Sequence, residues 1–382
     1  MADHEPHPNA SIAFYPAACA RLVVKVGSAL LVDPAGEVRR EWLASLADDI
    51  AARAREGQQV AVVSSGAIAL GARRLGLSKG GRASLEDAQA AAATGQIALS
   101  GVWAELLEAQ GLTAAQMLVT LDDLEDRRRY LNVSATLDRL LKLGVVPVIN
   151  ENDSVATEEI RFGDNDRLAA RVGSAANADG VILLSDIDGL YTANPHSNPD
   201  AKLIPIVDRI DAAIEAMADR ESASGMGSGG MVSKIEAARI ATSAGASLAI
   251  ASGHGLHPLA RFAESGRGTL FRAQRGAPAR KAWLRGGLTA KGAIHVDAGA
   301  VEALRGGRSL LAAGATKVEG RFARGDLLVI VGPDGRQLAR GLAEYSNIEA
   351  SQIVGRRSEE HAAILGYAPR AALIHRSHMA LL

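Results

Sequence analysis

Cysteine is almost absent: Cys19 is the only one in 382 residues. One thiol cannot build a disulfide framework within the chain or supply a cysteine-rich metal site. A surplus of either charge is missing as well, with 42 Lys and Arg against 43 Asp and Glu and a net charge of −1. Nucleic acid or an anionic membrane surface would have to be met by a local basic face, because the chain as a whole attracts neither. Long apolar runs are lacking too; none approaches the roughly 20 residues that span a bilayer. Residues 1–20 hold acids and several prolines, with no basic stretch ahead of an apolar one, so they read as a loose tail and not as a signal peptide. These absences leave a cytoplasmic protein as the expectation.

What the chain does have is ample apolar material, 48% of its residues, over a length that suits two domains. The stretch that organises it is Val145–Val146–Pro147–Val148–Ile149, which stops at Asn150–Glu151–Asn152–Asp153. A β-branched run ending in amides and carboxylates predicts a buried strand that delivers polar side chains to its carboxyl end, where open α/β sheets place their ligand crevice. A second polar cluster, Gly163–Asp164–Asn165–Asp166, opens the helical pattern that continues through Leu168 to Arg171. Capping would account for one Asp or Asn there. Two such clusters close together point to a binding site.

Other strand ends are polar in the same way. Leu22 to Val26 predicts a first strand with Lys25 near its end, followed by Gly27 and Ser28. A lysine so placed either emerges at the sheet edge or meets an anion, and Gly27 would let backbone amides approach one. Val60 to Val63 predicts a strand running into Ser64–Ser65–Gly66–Ala67. Small hydroxyl residues before a helix expose amide groups suited to phosphate or carboxylate, with a plain serine cap as the alternative. Gly180 to Leu184 predicts a further strand that ends in Ser185 and Asp186, ahead of a turn-rich excursion from Asp188 to Pro195.

Helical spacing fills the intervals. Trp42, Leu43, Leu46 and Ile50 recur on one face, and Ser84 to Gln110 is alanine-rich, with Ile97, Leu99, Trp103, Leu106 and Leu107 as packing residues. Met117 to Thr120 reads as a short strand and Leu131 to Gly144 as an amphipathic helix. The charge run Asp122 to Arg129 reads as a solvated face, with a subunit contact as the alternative. Strand and helix alternate throughout, which predicts an α/β fold: a mostly parallel sheet sandwiched by helices.

Gly225–Met226–Gly227–Ser228–Gly229–Gly230–Met231–Val232–Ser233–Lys234 matches a dinucleotide fingerprint on paper. The fingerprint belongs after a strand and is trailed by an acid about 20 residues on. Here a polar stretch precedes it and the strand Leu248–Ala249–Ile250 follows, so that reading fails. No Gly-Lys-Ser/Thr closes a P-loop either. What remains is a glycine loop entering a helix (Ser233 to Ala244) with a lysine in its first turn, either a hinge or a seat for a nucleotide's phosphate tail. Past Phe271 the composition changes. Residues 273–279 read as a linker, and beyond them short strands (Ile294 to Val296, Leu327 to Val331) with the turn Pro333–Asp334–Gly335 predict a small β-rich domain.

Taken in order, Lys25-Val26-Gly27-Ser28, Ser64-Ser65-Gly66-Ala67-Ile68-Ala69, Asn150 to Asp153, Gly163 to Asp166, Ser185-Asp186 and Ser228 to Lys234 resemble the amino acid kinase family. The tail, residues 280–382, resembles the PUA domain carried by longer members, leaving 21–272 as the kinase domain and 1–20 as the N-terminal tail. Ser64, Ser185 and Ser228 stand where many members have threonine, which keeps the hydroxyl. Val232 replaces a common Ser or Thr, which removes one.

The resemblance implies phosphorylation of the γ-carboxylate of L-glutamate by ATP with Mg2+, the first step of proline biosynthesis. It also implies a homo-oligomer and feedback inhibition by proline. A carboxylate is already ionised and needs no general base, so positioning and positive charge would carry catalysis. By similarity Lys25 and Lys234 would contact phosphates, and Asp166 would hold both. Ser185, Asp186, Ser228, Gly229, Gly230, Met231, Val232 and Ser233, with Lys25 and Lys234, would surround the nucleotide. Ser65, Asn150, Asp153, Asp164 and Asn165 would bind glutamate, and Mg2+ would ride on ATP oxygens without dedicated protein ligands.

Two alternatives remain open on the sequence. One is a sister kinase acting on N-acetylglutamate, aspartate, carbamate or a nucleoside monophosphate; the Asn150–Asp153 motif and the tail argue against it. The other is an RNA-binding or regulatory protein using Arg305, Arg308, Lys317, Arg321 and Arg324 as a basic face. Asp297, Glu302, Glu319 and Asp326 interleave with these, which favours a solvated mixed surface.

Overall fold

The computed structural model describes residues 9–33, 36–155, 165–195, 197–222, 230–273, 289–370 and 372–382, with the backbone alone for 219–222. They fall into two units, one of Met1–Glu125 with Asn132–Gln274 and one of Asp126–Leu131 with Arg275–Leu382. The expected linker at 273–279 lies outside the described residues apart from Ala273. Among the described residues no helix is long and apolar enough to cross a membrane.

The first unit opens with β1 (Arg21–Val26), α1 (Ser28–Leu31), α2 (Arg40–Arg55), β2 (Gln59–Ser64), α3 (Ala67–Leu75), α4 (Leu85–Glu108) and β3 (Ala114–Val119). It continues with α5 (Leu121–Glu125), α6 (Arg127–Lys142, whose residues up to Leu131 group with the second unit), β4 (Val146–Glu151), α7 (Asn165–Ala175) and β5 (Gly180–Ser185). Then follow β6 (Ile206–Val207), α8 (Ala212–Ser222), α9 (Met231–Ser243), β7 (Ser247–Ser252), α10 (Pro258–Ser265) and β8 (Thr269–Phe271). The strands form one sheet in the order β3-β4-β2-β1-β5-β7-β8-β6. From β3 to β7 every pairing is parallel, and β8 runs antiparallel to β7.

Near-continuous aliphatic runs suit strands buried on both faces, and β1, β2, β4 and β5 are buried along almost their whole length. Pro147 has no N–H to give a ladder; accordingly the β4–β2 pairing begins at Val148, opposite Val62. Parallel register also lines up the polar strand ends. Val26 stands beside Ser64 and Ser185 beside Ser252, while β4 carries Asn150 to the same carboxyl edge.

Helices α3 and α4 cross backbone to backbone. A Cβ on Gly71 would fall 1.7 Å from Ala91 O, and one on Gly95 would fall 1.8 Å from Ala67 O. Each glycine thus seats over a carbonyl one turn before the partner glycine, an approach that only a residue without a Cβ allows.

Several expectations are revised. Ile97 is 74% exposed, whereas Leu99, Trp103 and Leu107 are buried; at 100° per residue Ile97 lies on the far side from Leu99, outside the apolar stripe. Helix α9 opens two residues before Ser233. The residues just ahead of β1, expected to be loose, include Ala10, Phe14 and Cys19, all fully buried. Arg53 Nη1 donates to Phe14 O at 2.9 Å and Gln58 Nε2 to Cys19 O at 2.6 Å, so backbone groups of this segment are satisfied by buried side chains. Burial, with Asp179 adding to it, pushes the Cys19 thiol up to about 12, which leaves it unreactive.

The second unit is built on a five-stranded sheet: β9 (Gly292–Val296), β10 (Ala315–Gly320), β11 (Leu327–Val331), β12 (Gln337–Leu342) and β13 (Met379–Leu381), in the order β10-β9-β11-β12-β13. Ile294, Leu328, Ile330, Ile353 and Ile374 belong to its own core. The mixed charge expected of its surface is visible at Lys317, whose Nζ lies 2.6 Å from Glu319. Arg324 turns instead toward a half-hidden cluster in which Glu344 also meets Arg370 and His378, at 3.3 to 3.6 Å.

Candidate active site

Two lysines and one aspartate meet at the carboxyl edge of the first sheet. Lys25 is the fifth residue of β1, flanked by β2 and β5; Asp166 is the second residue of α7; Lys234 lies in the first turn of α9. Lys25 Nζ is 2.6 Å from Asp166 Oδ1, and Lys234 Nζ is 3.0 Å from Oδ2. All three are buried, with 8%, 0% and 4% exposure for Lys25, Asp166 and Lys234. Burial alone would raise the Asp166 carboxyl, but the charges and hydrogen bonds of both lysines outweigh it and hold the carboxyl below its ordinary value. The trio brings two ammonium groups and one carboxylate together, an arrangement whose chemistry suits an anionic group alongside it. A Cβ on Gly27 would stand 3.8 Å from Lys25 Nζ, so the glycine keeps the space beside that ammonium clear.

Beside the trio lies a group of amides. Asn150, near the end of β4, is buried, and its Nδ2 donates to Gln96 Oε1 of α4 at 2.8 Å. Asn165, which opens α7 next to Asp166, donates through Nδ2 to Ser65 Oγ at 2.6 Å and to Asn150 Oδ1 at 3.3 Å. Ser65 precedes Gly66, whose φ of +106° is a left-handed value suited to glycine and turns the chain from β2 into α3. Ser64 is held from behind, accepting from Trp103 Nε1 at 3.0 Å. Asp153 follows β4, and burial, eased only in part by Arg82, pushes its carboxyl up to about 6.

A third part forms at the ends of β5 and β7. Ser185 Oγ donates to Asp186 Oδ1 at 2.9 Å, Gly253 N donates to Ser185 O at 2.7 Å, and the His254 ring stands 3.0 Å from Asp186 O. Gly230 caps α9, with Met231 buried and Val232 and Ser233 following in its first turn.

Of the residues singled out from sequence, Lys25, Asp166 and Lys234 are brought into one ion-paired group, and Ser65, Asn150 and Asn165 into one hydrogen-bonded group. Asp164, Ser228 and Gly229 lie outside the described residues. Gln96, Trp103 as a polar partner, and His254 went unnoticed. Gln96 had a signal: it is the one amide on a face otherwise made of Ala88, Ala91, Ala92, Gly95, Leu99 and Trp103.

Comparison with known proteins agrees with this architecture. The amino acid kinase family model matches residues 20–252, and the PUA domain model matches residues 292–365. A protein of Sphingopyxis alaskensis named glutamate 5-kinase is 73% identical over 97% of this chain and 99% of its own length. One of the same name from Zymomonas mobilis is 63% identical over 98% of this chain and 94% of its own. Another, from Nitrobacter hamburgensis, is 55% identical over 94% and 95%. With the amino acid kinase model matching more than half of the chain over the parallel sheet and the PUA model matching the second unit, the chain belongs to the amino acid kinase family and groups within it with the glutamate 5-kinases.

Proposed function

We propose that the protein transfers the γ-phosphoryl group of ATP to the γ-carboxylate of L-glutamate, giving L-glutamyl 5-phosphate and ADP. The observation that carries this reading is the pair of buried lysines sharing one carboxylate, 2.6 and 3.0 Å away. A carboxylate oxygen forms the new bond to the γ-phosphorus as the bond to the β–γ bridging oxygen breaks, and ADP leaves with that electron pair. No proton moves, so the protein's task is to align the two substrates and stabilise charge on the phosphoryl oxygens. Lys25 and Lys234 do the second, with Asp166 holding both. Ser185, Asp186 and the residues from Ser228 to Lys234 seat the nucleotide, and Mg2+ carried with ATP would neutralise part of the phosphate charge without a dedicated protein ligand. Ser65, Asn150, Asp153, Asp164 and Asn165 hold glutamate. Every residue given a role lies between 25 and 234 and outside Asp126–Leu131, which supports assigning catalysis to the first unit.

The test is ATP turnover by the purified chain with glutamate, aspartate and N-acetylglutamate. Glutamate is the substrate used; the acetylated form is barely turned over, because it lacks the ammonium that a desolvated carboxylate favours. Preference for N-acetylglutamate would move the protein to a sister activity.

Asp153 supplies a prediction with two readouts. Its folded carboxyl titrates near 6 against an ordinary 3.8. Between those values the folded chain holds a proton that the unfolded chain releases, so stability falls as pH rises through this window. At pH 8 the substrate-free protein therefore carries a strained carboxylate, worth up to about 3 kcal/mol on roughly 1.4 kcal/mol per pH unit. Asp153→Asn raises Tm by a few degrees at pH 8 and by less at pH 4. It also raises KM for glutamate at least about tenfold, since one side of a charged pair is gone. An unchanged KM for glutamate would remove Asp153 from the substrate site.

A further inference from the structure

Asn150 and Asn165 can each present an oxygen or an NH2 in a given direction, and what they offer a substrate depends on which. Their orientation follows from a residue behind them. Gln96 is 7% exposed on the inner face of α4, directly after Gly95 at the helix crossing. Its Oε1 accepts from Asn150 Nδ2 at 2.8 Å, which turns Asn150 Oδ1 the other way, to accept from Asn165 Nδ2 at 3.3 Å. The second Asn165 hydrogen goes to Ser65 Oγ at 2.6 Å. Both donors of Asn165 are then used, and its Oδ1 is buried with no hydrogen-bond partner among the described residues. A buried acceptor without a partner demands a reason.

We propose that Gln96 is a positioning residue that sets the polarity of an amide relay, Gln96–Asn150–Asn165–Ser65. The relay offers Asn165 Oδ1 as acceptor for a substrate ammonium and Ser65 O–H as donor to a substrate carboxylate. This polarity fits the two charged groups on the α-carbon of an amino acid. The opposite polarity, with Gln96 donating to Asn150, would turn every step round. Asn165 would then present N–H where the ammonium must bind, and Ser65 would spend its hydrogen inside the relay. The proposal rests on glutamate being the substrate and deepens that reading.

The experiment compares Gln96→Met, which removes the acceptor at nearly constant volume, with Gln96→Glu, which keeps acceptors while ionised and gains a donor when protonated. KM for glutamate, KM for ATP and kcat are measured from pH 6 to 9, with glutarate, which has no ammonium, as a competitor. The Met variant is expected to raise KM for glutamate about tenfold and to weaken glutarate inhibition by less, because glutarate keeps the carboxylate contact but has no ammonium to lose, with kcat and KM for ATP each moving less than twofold. The Glu variant is expected to match wild type at pH 9 and to drift toward the Met variant as pH falls. Equal KM for glutamate in wild type and the Met variant overturns the relay, as does a Glu variant that follows the Met variant at every pH. If the Met variant does not fold, the pH profile of the Glu variant alone decides. A wild type that does not use glutamate defeats the proposed function itself, which separates that failure from failure of the relay.

Discussion

Replacing Asp166 with alanine is expected to lower kcat by a hundredfold or more and to remove roughly 3–5 kcal/mol of stability. The side chain is fully buried, and each oxygen faces a different ammonium, at 2.6 and 3.0 Å. Breaking a buried ion pair by deleting one partner costs about that much, because the surviving charge is left without compensation. Here two charges are left, and they repel each other. The rate falls because neither lysine then keeps its aim on the phosphoryl oxygens, and losing one such contact is worth about 3 kcal/mol, or about a hundredfold. Because the carboxyl is held below its ordinary value, its stabilisation is present at neutral pH and fades as acid protonates it. The variant should therefore lose the most ground to wild type near pH 7 and less near pH 3. ATP should raise its melting temperature by more than it raises that of wild type, since the anion supplies the missing negative charge. Wild-type kcat in this variant would dissolve the proposed phosphate site.

The second large effect is structural. Gly95→Ala places a Cβ 1.8 Å from Ala67 O, and Gly71→Ala places one 1.7 Å from Ala91 O, where real Cβ contacts essentially never fall below 3.0 Å. The obstacle is backbone, so no side chain can turn aside and the helices must separate by more than 1 Å. Ordinary overpacking costs about 1–3 kcal/mol. This case should exceed about 4 kcal/mol, the exceptional range, and lower Tm by more than about 10 °C. Separation also draws Gln96 away from Asn150 and shifts the start of α3 beside Ser65, so any activity that survives should need far more glutamate. Gly101→Ala is the control on the same helix: a Cβ there meets nothing within 4 Å, and alanine's helix propensity should leave the protein as stable or up to about 1 kcal/mol more so. Thermal melts that rank Gly95→Ala beside Gly101→Ala would contradict the close crossing.

Much of this was legible in the sequence because it is written locally. Aliphatic runs such as Val145 to Ile149 and Gly180 to Leu184 announce parallel strands, and the polar residues that end them mark the sheet edge where Lys25, Ser65 and Asn150 gather. Asn165 and Asp166 announce a helix start. What escaped was written between distant positions. Gln96 gains its meaning from Asn150, 54 residues later, and Gly95 from Ala67, on a different helix. Inside an alanine-rich helix both look like minor interruptions of the periodicity. Strands β6 and β8 have 2 and 3 residues, too few for any period to show. Phe14 sits in the four-residue run Ile12–Ala13–Phe14–Tyr15, too short to show a period, so nothing nearby reveals that its ring lies 6.0 Å from that of Phe262. Ile97 erred in the other direction: its apolar character suggested packing, while helical phase put it outside.

Asn165 and Asp166 are neighbours at the start of α7, one facing the amides and the other the lysines. Their α-carbons are about 3.8 Å apart across a single peptide bond. In the proposed reaction that bond is a ruler between the two substrates. When the helix shifts as a body, the grip on the amino acid and the grip on the phosphates travel together, and the spacing between nucleophile and phosphorus is kept. Anyone redesigning the enzyme for a different acid should leave this turn untouched and work from the opposite walls, at Gln96 on α4 and at Asn150 and Asp153 around the end of β4. Changes there reshape the pocket without altering the scale against which the reacting atoms are set.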